Sequence, residues 1–313
     1  MATIPNLDFA KWSQGTESER AEFVKELGAA YTDIGFITIK NHGFGESVQD
    51  GLYKKAAAFF SLEKTVKSSY EIEGLAGQRG YTSFGKEHAK GMEAADLKEF
   101  WQVGQPEPAY EGPEYHNNVS VEELPEFAPG FKHAYQELER IGRELLKAIA
   151  IYLDLDSNYF EPWVQGGNSI LRAIHYPPIT QDPGDSVRAG QHEDINLITL
   201  LMGASAEGLE VLNKQNEWIG ITAIPGSLVV NVGDMLQRLT NGVMKSTTHR
   251  VVNPPKEKWG TSRYSIPFFL HPVGKMPLNA LEGCITQERP KAFDDITAGD
   301  YLEERLVEIG LKK

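Results

Sequence analysis

The segment SILRAIHY (169–176) opens a series of short apolar runs that decides the fold class of this 313-residue chain. The runs that follow it are LITLLM (197–202), LEVLN (209–213), SLVVNVG (227–233), STTHRVV (246–252) and RYSIPFFL (263–270). Each run is rich in apolar or β-branched residues, and Gly, Pro or Asn residues separate them, which is typical of β-strands joined by turns. Regular short strands of this kind indicate a sandwich or barrel.

The chain upstream of these runs has a mainly helical pattern. Apolar residues three and four positions apart predict helices over 17–34 and 131–153, and residues 46–60 also resemble a helix. Between the first two, GFITIK (35–40) alternates like a short strand. We expect residues 74–92, rich in Gly, Ser, Thr and Lys, to form a loop.

The end of the chain, DDITAGDYLEERLVEIGL (294–311), predicts a helix. Asp294, Asp295 and Thr297 are its candidate N-terminal caps, and Gly310 is its candidate stop. Because no repeat or obvious linker divides the chain, we expect one domain over 1–313. It would comprise a helix-rich part (1–165), a β core (about 166–275) and a C-terminal helical segment.

The composition is that of an acidic globular protein. The net charge is −13, with 41% hydrophobic and 24% charged residues. This charge disfavours binding to nucleic acid or to an anionic membrane surface, and no apolar stretch approaches the ~18 residues of a membrane span. The single cysteine, Cys284, excludes an intrachain disulfide, and the start MATIPNLDFAKW does not resemble a signal peptide. We therefore expect a cytoplasmic protein acting on a small molecule, and the oligomeric state stays open.

A candidate metal site lies in the run Gln191-His192-Glu193-Asp194. On a strand, residues two apart share a face, so His192 and Asp194 could converge on one ion. His249, in KSTTHRVVN (245–253), is the candidate third ligand from another strand. Two histidines and one carboxylate form the facial triad of non-haem iron(II) oxygenases, which leaves positions open for oxygen and a co-substrate.

A candidate carboxylate site follows in Arg263-Tyr264-Ser265. Arg263 and Ser265 share a strand face, and a guanidinium fork beside a hydroxyl suits a carboxylate. Tyr176, before Pro177-Pro178, could offer its phenol to the same small acid.

These elements together resemble the isopenicillin N synthase-like family of iron(II)/2-oxoglutarate-dependent oxygenases. The resemblance rests on HEDINLITLL (192–201), on THRVVNPP (248–255), in which His249 lies 55 residues after Asp194, and on RYSIPFF (263–269). It extends to GFITIKNHGF (35–44), ADLKEFWQVG (95–104), HYPP (175–178) and LVVNVGDMLQRLTNG (228–242). Nearly the whole chain is covered, in order and at the family's spacing.

The resemblance implies a mainly β fold with flanking helices and a double-stranded β-helix (jelly-roll) core. It implies iron(II) held by His192, Asp194 and His249, and 2-oxoglutarate held by Arg263 and Ser265 near Tyr176. The expected reaction consumes O2, releases succinate and CO2, and oxidises a small molecule, most simply by hydroxylation. The motifs leave hydroxylation, desaturation and cyclisation open, and they name neither substrate nor pathway.

Several residues are candidate substrate contacts. They are Arg79, Tyr81 and Phe84 of the loop at 78–92, together with Arg172, Asn231 and Phe268. Arg172 shares a strand face with Tyr176, where it could bind an anionic substrate or pair with an acidic neighbour. Two rival functions remain at this point: an iron oxidase of the same family that does not use 2-oxoglutarate, and a binding protein without turnover.

Overall fold

The computed structural model describes residues 4–75, 77–87, 96–106, 116–203, 207–222 and 224–308. Its α-helices are α1 (Phe9–Ser13), α2 (Glu17–Asp33), α3 (Glu46–Phe60), α4 (Lys64–Ser69), α5 (Phe127–Tyr152), α6 (Glu161–Val164), α7 (Asp234–Leu239) and α8 (Ala298–Glu308). Its strands are β1 (Asn6–Asp8), β2 (Phe36–Lys40), β3 (Gly80–Thr82), β4 (Glu99–Gly104), β5 (Ile170–Tyr176), β6 (Ala189–His192), β7 (Ile198–Met202), β8 (Leu209–Leu212), β9 (Trp218–Gly220), β10 (Leu228–Val232), β11 (His249–Val251), β12 (Arg263–Ser265) and β13 (Pro267–Leu270).

Within these ranges the strands form two sheets. The larger sheet has the order β1-β2-β10-β7-β13-β5-β4-β3, and β12 also pairs with β5. The smaller sheet has the order β6-β11-β8-β9. The pairing is antiparallel throughout, except that β1 runs parallel to β2. The strands predicted in the second half of the chain are all present.

The longest helix, α5, packs against the outer face of the larger sheet. Its buried positions include Tyr135, Leu138 and Leu145, and each buried Leu stabilises the fold by roughly 1.5–3 kcal/mol. Gly142 lets the helix approach closely, because a Cβ there would lie 2.4 Å from a methyl carbon of Leu270 on β13. The helix predicted at 131–153 is therefore confirmed and begins one turn earlier.

Two features of the first half of the chain differ from the sequence-based expectation. The helix-rich part contributes β1, β2, β3 and β4 to the larger sheet, whereas the sequence indicated one strand there, at 35–40. The predicted loop at 74–92 contains the short strand β3, which pairs with β4; residues 88–92 lie outside the described ranges.

The C-terminal helix begins where its cap residues predict. The Thr297 hydroxyl accepts a hydrogen bond from the backbone N–H of Asp300 at 3.2 Å, which satisfies one of the helix's first free N–H groups. Gly310, the candidate stop, lies outside the described residues. Over the described ranges, no helix has the length and apolar character needed to cross a bilayer.

Candidate active site

A cavity of about 470 Å³ lies between the two sheets and is lined by residues from both. On the larger sheet, alternate residues of β5 face it, namely Ile170, Arg172, Ile174 and Tyr176. On the smaller sheet, His192 and His249 face it from β6 and β11. Each wall of the cavity therefore comes from a different sheet, and the period of two along a strand selects the lining residues.

The predicted triad comes together on the smaller sheet. β6 pairs with β11 so that His192 and His249 are direct partners in the register, and Asp194 follows just after the end of β6. Asp194 Oδ1 lies 3.9 Å from His192 Nε2 and 3.7 Å from His249 Nε2. One ligand atom from each residue lies within 4.8 Å of the others, so the three could hold one metal ion.

The back of each imidazole ring is tied to the main chain. His192 Nδ1 lies 2.7 Å from the carbonyl oxygen of Gly190, and His249 Nδ1 lies 3.1 Å from that of Thr247. A carbonyl only accepts, so each Nδ1 carries the proton and each Nε2 keeps its lone pair for a metal. Burial, with the neighbouring His249, lowers the pKa of His192 to about 4, which keeps this imidazole neutral.

Asp194 is also held in place by hydrogen bonds, in this case from two side chains. Its Oδ2 accepts hydrogen bonds from the hydroxyl of Thr199 at 2.6 Å and from Nδ2 of Asn231 at 2.8 Å. Burial alone would raise the pKa of Asp194, but the two histidines and these two hydrogen bonds lower it. The carboxylate therefore stays ionised and directs Oδ1 at the histidines. Two neutral imidazoles and one carboxylate are the donor set that suits iron(II).

The candidate carboxylate site lies on the opposite wall. β12 pairs with β5 so that Arg263 faces Tyr176 in the register, and the Arg263 guanidinium lies 5.0 Å from the centre of the Tyr176 ring. Arg263, Ser265 and Tyr176 are all buried and all line the cavity. The three residues therefore face the same space as the triad.

Another buried arginine, Arg188, lies close to Arg263 and was not identified from the sequence. Its Nη2 donates to the carbonyl oxygen of Thr261 at 3.0 Å. Burial lowers the pKa of Arg188, and the positive charge of Arg263 adds to that effect. Arg188 is not among the residues that line the cavity.

Two of the six candidate substrate contacts line the cavity. Arg172 faces it from β5, and Asn231 faces it from β10, where its amide is already bonded to Asp194. Arg172 also pairs with Glu87, its Nη1 lying 3.1 Å from Oε2. Arg172 was expected either to bind an anionic substrate or to pair with an acidic neighbour, and the structure shows the pairing.

The other four candidates do not line the cavity. Arg79 donates to the carbonyl oxygens of Gln78 and His116, and Tyr81 hydrogen-bonds Glu99 on the outer face of β4. Phe84 is 49% exposed. Phe268 packs edge-on against Tyr135 of α5, with ring centres 5.0 Å apart. The predicted contact roles of Arg79, Tyr81, Phe84 and Phe268 are therefore not supported.

The error at Phe268 has a simple geometric cause. Arg263, Ser265, Pro267 and Phe269 all line the cavity, so the alternation that begins at Arg263 continues through β13. Phe269, at the next odd position, is the residue that faces the cavity, and Phe268 faces the helix. The period of two in the sequence was sufficient to choose between them.

Several other lining residues were missed because no motif marks them. They are Gln78, Glu87, Asp96, Lys98, Gln102, Asn168 and His271, with Leu302 and Leu306 from α8. Burial lowers the pKa of His271 to about 4, so this ring lines the cavity in its neutral form. Alternation along β4 would have identified Gln102, but the others come from loops or from positions whose contacts only the fold creates.

Comparison with known proteins identifies the family. Residues 167–272 match the model of the 2OG-Fe(II) oxygenase superfamily, and residues 4–126 match that of the non-haem dioxygenase in morphine synthesis N-terminal region. A 2-oxoglutarate-Fe(II) type oxidoreductase, ppzC, of Metarhizium rileyi is 30% identical over 97% of this chain and 86% of its own length. The chain belongs to the 2OG-Fe(II) oxygenase superfamily.

Solved structures of the superfamily agree with this assignment. A putative 2OG-Fe(II) oxygenase family protein from Caulobacter crescentus has a TM-score of 0.87 and 42% identity, covering 99% of this chain and 100% of its own. A full-length Neurospora crassa protein, solved in complex with alpha-KG and thymine, has a TM-score of 0.86 and 32% identity, covering 97% and 96%. The predicted jelly-roll fold is confirmed, and so is the predicted enzyme class, an oxygenase that uses iron(II), 2-oxoglutarate and O2.

Proposed function

We propose that this oxygenase hydroxylates a small organic molecule at the triad of His192, Asp194 and His249. The proposal is carried by one observation: three potential ligand atoms lie within 4.8 Å of one another and share a cavity with Arg263, Ser265 and Tyr176. The Neurospora crassa structure with alpha-KG and thymine supports a small-molecule substrate. The cavity volume of about 470 Å³ is also in the range of small-molecule sites.

The protein's part in the reaction is to hold and orient. The two Nε2 atoms and Asp194 Oδ1 would bind iron on one face, and this leaves the opposite positions for ligands. When bound, iron(II) and 2-oxoglutarate supply the oxidising chemistry, in which O2 is consumed and succinate and CO2 are released. Arg263 and Ser265 would fix the distal carboxylate of the co-substrate by charge-assisted hydrogen bonds, with Tyr176 beside them.

Apolar side chains complete the cavity and limit the access of water. Phe36 packs edge-on against His249 at 5.6 Å between ring centres, and Leu201, Leu209 and Val251 line the same region. An apolar surround holds the reacting groups in a fixed geometry and keeps the oxidising chemistry away from solvent.

The test is a panel of small molecules assayed for succinate release with iron(II), 2-oxoglutarate and O2. We expect at least one compound to raise succinate release above the rate without substrate and to yield a product heavier by one oxygen atom. Omission of iron or addition of a chelator should remove both signals. Iron-dependent oxidation of a compound without 2-oxoglutarate would instead support the rival oxidase, and a product lighter by two hydrogens would support desaturation.

We also propose that the chain forms one catalytic domain. Buried residues from Leu7 to Tyr301 belong to a continuous core, and strands of the N-terminal part pair within the larger sheet. A cooperative single unfolding transition, seen alike by two spectroscopic probes, is expected. The cytoplasmic location indicated by the single cysteine stays a prediction.

A further inference from the structure

A group of four charged side chains forms one part of the cavity wall next to the triad. These residues, Glu87, Asp96, Lys98 and Arg172, are named here the charge-paired wall, and all four line the cavity. Their side chains are between 7% and 15% exposed, so they meet a ligand and little bulk water. The net charge that these side chains present to a ligand therefore depends on how they are paired with one another.

Each charge in this wall is already matched. Glu87 bridges the two cations, with Oε2 3.1 Å from Arg172 Nη1 and Oε1 2.6 Å from Lys98 Nζ. Lys98 Nζ also lies 2.8 Å from Asp96 Oδ2. Burial would raise the pKa of Glu87, but Arg172 and Lys98 lower it to about 2. The wall thus holds two positive and two negative charges and carries no net charge.

Arg172 is held too firmly to turn towards a ligand. Its Nε donates to Gln102 Oε1 at 2.8 Å. Its guanidinium carbon lies 4.1 Å from the ring centre of Phe100 and 5.5 Å from that of Phe269. A carboxylate that bound to this guanidinium would compete with Glu87 for it, and two carboxylates would then be buried side by side at a high energetic cost.

The rest of the described lining offers no spare positive charge. Arg305 pairs with Glu308 at 2.7 Å, and Glu193 and Asp234 are acidic. Iron(II) together with Asp194 would carry one positive charge and Arg263 a second, and these two match the two carboxylates of 2-oxoglutarate. A substrate with its own negative charge would therefore find no unmatched cation among the described lining residues.

The side chain of Asn168 carries a buried oxygen that lacks a hydrogen bond within the described part of the chain. It is 5% exposed, lines the cavity just before β5, and its Oδ1 has no hydrogen-bond partner among the described residues. A buried carbonyl oxygen normally accepts a hydrogen bond. The natural partner here is an N–H or O–H group of a bound molecule.

We propose that the substrate is an uncharged molecule whose N–H or O–H group bonds to Asn168, and that Glu87 excludes carboxylates by keeping Arg172 and Lys98 paired. The proposal rests on the proposed function, since it concerns the ligand of the same cavity. It assigns Glu87 and Asn168 as specificity-determining residues.

The experiment compares carboxylic acids with their own primary amides. A panel of aliphatic and aromatic acid–amide pairs is titrated calorimetrically into protein loaded with iron(II) and 2-oxoglutarate without oxygen, and succinate release is then measured in air. Each pair shares one skeleton, so the ratio of the two affinities isolates the effect of charge. We expect the amides that bind to do so at least tenfold more tightly than their acids.

Glu87→Gln should reverse part of this preference. The substitution keeps the size of the side chain but leaves the wall with one net positive charge, so the affinity ratio should shift towards the acids by about tenfold or more, which is ~1.4 kcal/mol. Glu99→Gln is the matched control. Glu99 is likewise a buried glutamate paired with a lysine, Lys67, but it lies on β4 and on the outer face, so the ratio should not change.

Asn168→Ala gives a second test that does not depend on Glu87. It should weaken binding of the amides and leave that of the acids nearly unchanged. Equal or tighter binding of the acids by the unsubstituted protein would overturn the proposal, as would failure of every amide to bind. Because binding is measured without oxygen, an amide preference without succinate release would contradict the proposed function and leave this inference standing.

Discussion

The cavity lining formed by His192, Asp194 and His249, named here the triad wall, differs from the charge-paired wall in how its polar atoms are bonded. On the triad wall, every side chain has its rear atoms bonded to the protein and one atom left over: Nε2 of each histidine and Oδ1 of Asp194. On the charge-paired wall, the charges are matched by one another. The first wall is completed only by a ligand, whereas the second is electrostatically complete without one. Reactivity and selectivity thus have separate structural origins here.

The largest effect is expected at the triad itself. Asp194→Ala removes the only anionic ligand and leaves the hydrogen-bond donors of Thr199 and Asn231 without their acceptor. Turnover should fall below detection and bound iron should be lost, measured by succinate release and by metal analysis after gel filtration. Asp185→Ala, at an exposed position, is the control. Full activity of Asp194→Ala would contradict the assignment of the ligand.

The next effect concerns the co-substrate. Arg263→Lys replaces a two-pronged donor by a point charge, and loss of one charge-assisted hydrogen bond costs ~1.5–3 kcal/mol. The KM for 2-oxoglutarate should therefore rise about 10- to 100-fold, with a smaller change in kcat. The measurement is succinate release against 2-oxoglutarate concentration. An unchanged KM would remove Arg263 from the carboxylate site.

A smaller effect is expected behind the triad. Thr199→Val preserves shape but removes the 2.6 Å hydrogen bond to Asp194 Oδ2. Partners of this kind typically contribute 10- to 100-fold to metal affinity, and because Asn231 still holds the same oxygen, about tenfold is expected. Competition with a chelator of known affinity measures it. If iron affinity were unaffected, the orientation of Asp194 would have to come from elsewhere.

The last expected effect is on folding stability, which is measured without turnover, and it reports on the pairing in the charge-paired wall. The pKa of Glu87 is lowered from 4.5 to about 2. The folding stability that ionised Glu87 contributes is therefore fully present above pH 4.5 and is lost as the pH falls towards 2. About 2 kcal/mol of it should be lost between pH 5 and pH 3. The free energies of unfolding of the original protein and Glu87→Gln should therefore converge over this range. A constant difference would mean that Glu87 is not paired as described.

The sequence predicted the triad wall far better than the charge-paired wall, and the reason is physical. His192 and Asp194 are two residues apart, so they lie close together in any fold, although β6 ends at His192 and Asp194 follows it. Glu87 and Arg172 are 85 residues apart. They meet because β4 pairs with both β5 and β3 in the larger sheet, and Glu87 follows shortly after β3. No local pattern carries that information. The role of Arg172 could be reduced to two choices from the sequence, but selecting between them required the position of Glu87.

The errors in the first half of the chain have a similar origin. Arg79 and Tyr81 were grouped with the cavity because loops often supply specificity. In the fold, β3 directs Tyr81 towards Glu99 on the outer face, and Arg79 supports the main chain near His116. The direction of the Tyr81 side chain is set by the pairing of β3 with β4, and a three-residue strand is too short to show a period of its own.

One residue, Gly190, joins the two walls through its backbone. The N–H of Gly190 donates to Asp96 Oδ1 at 2.9 Å, and the carbonyl oxygen of the same residue accepts from His192 Nδ1 at 2.7 Å. For protein engineering, this separates positions that are free to vary from one that is not. A library aimed at new substrates can diversify Glu87 and Asn168, since the hydrogen bond to the Gly190 N–H comes from Asp96. Asp96 is better left unchanged, because altering it to suit a new substrate would also release the strand segment that positions His192.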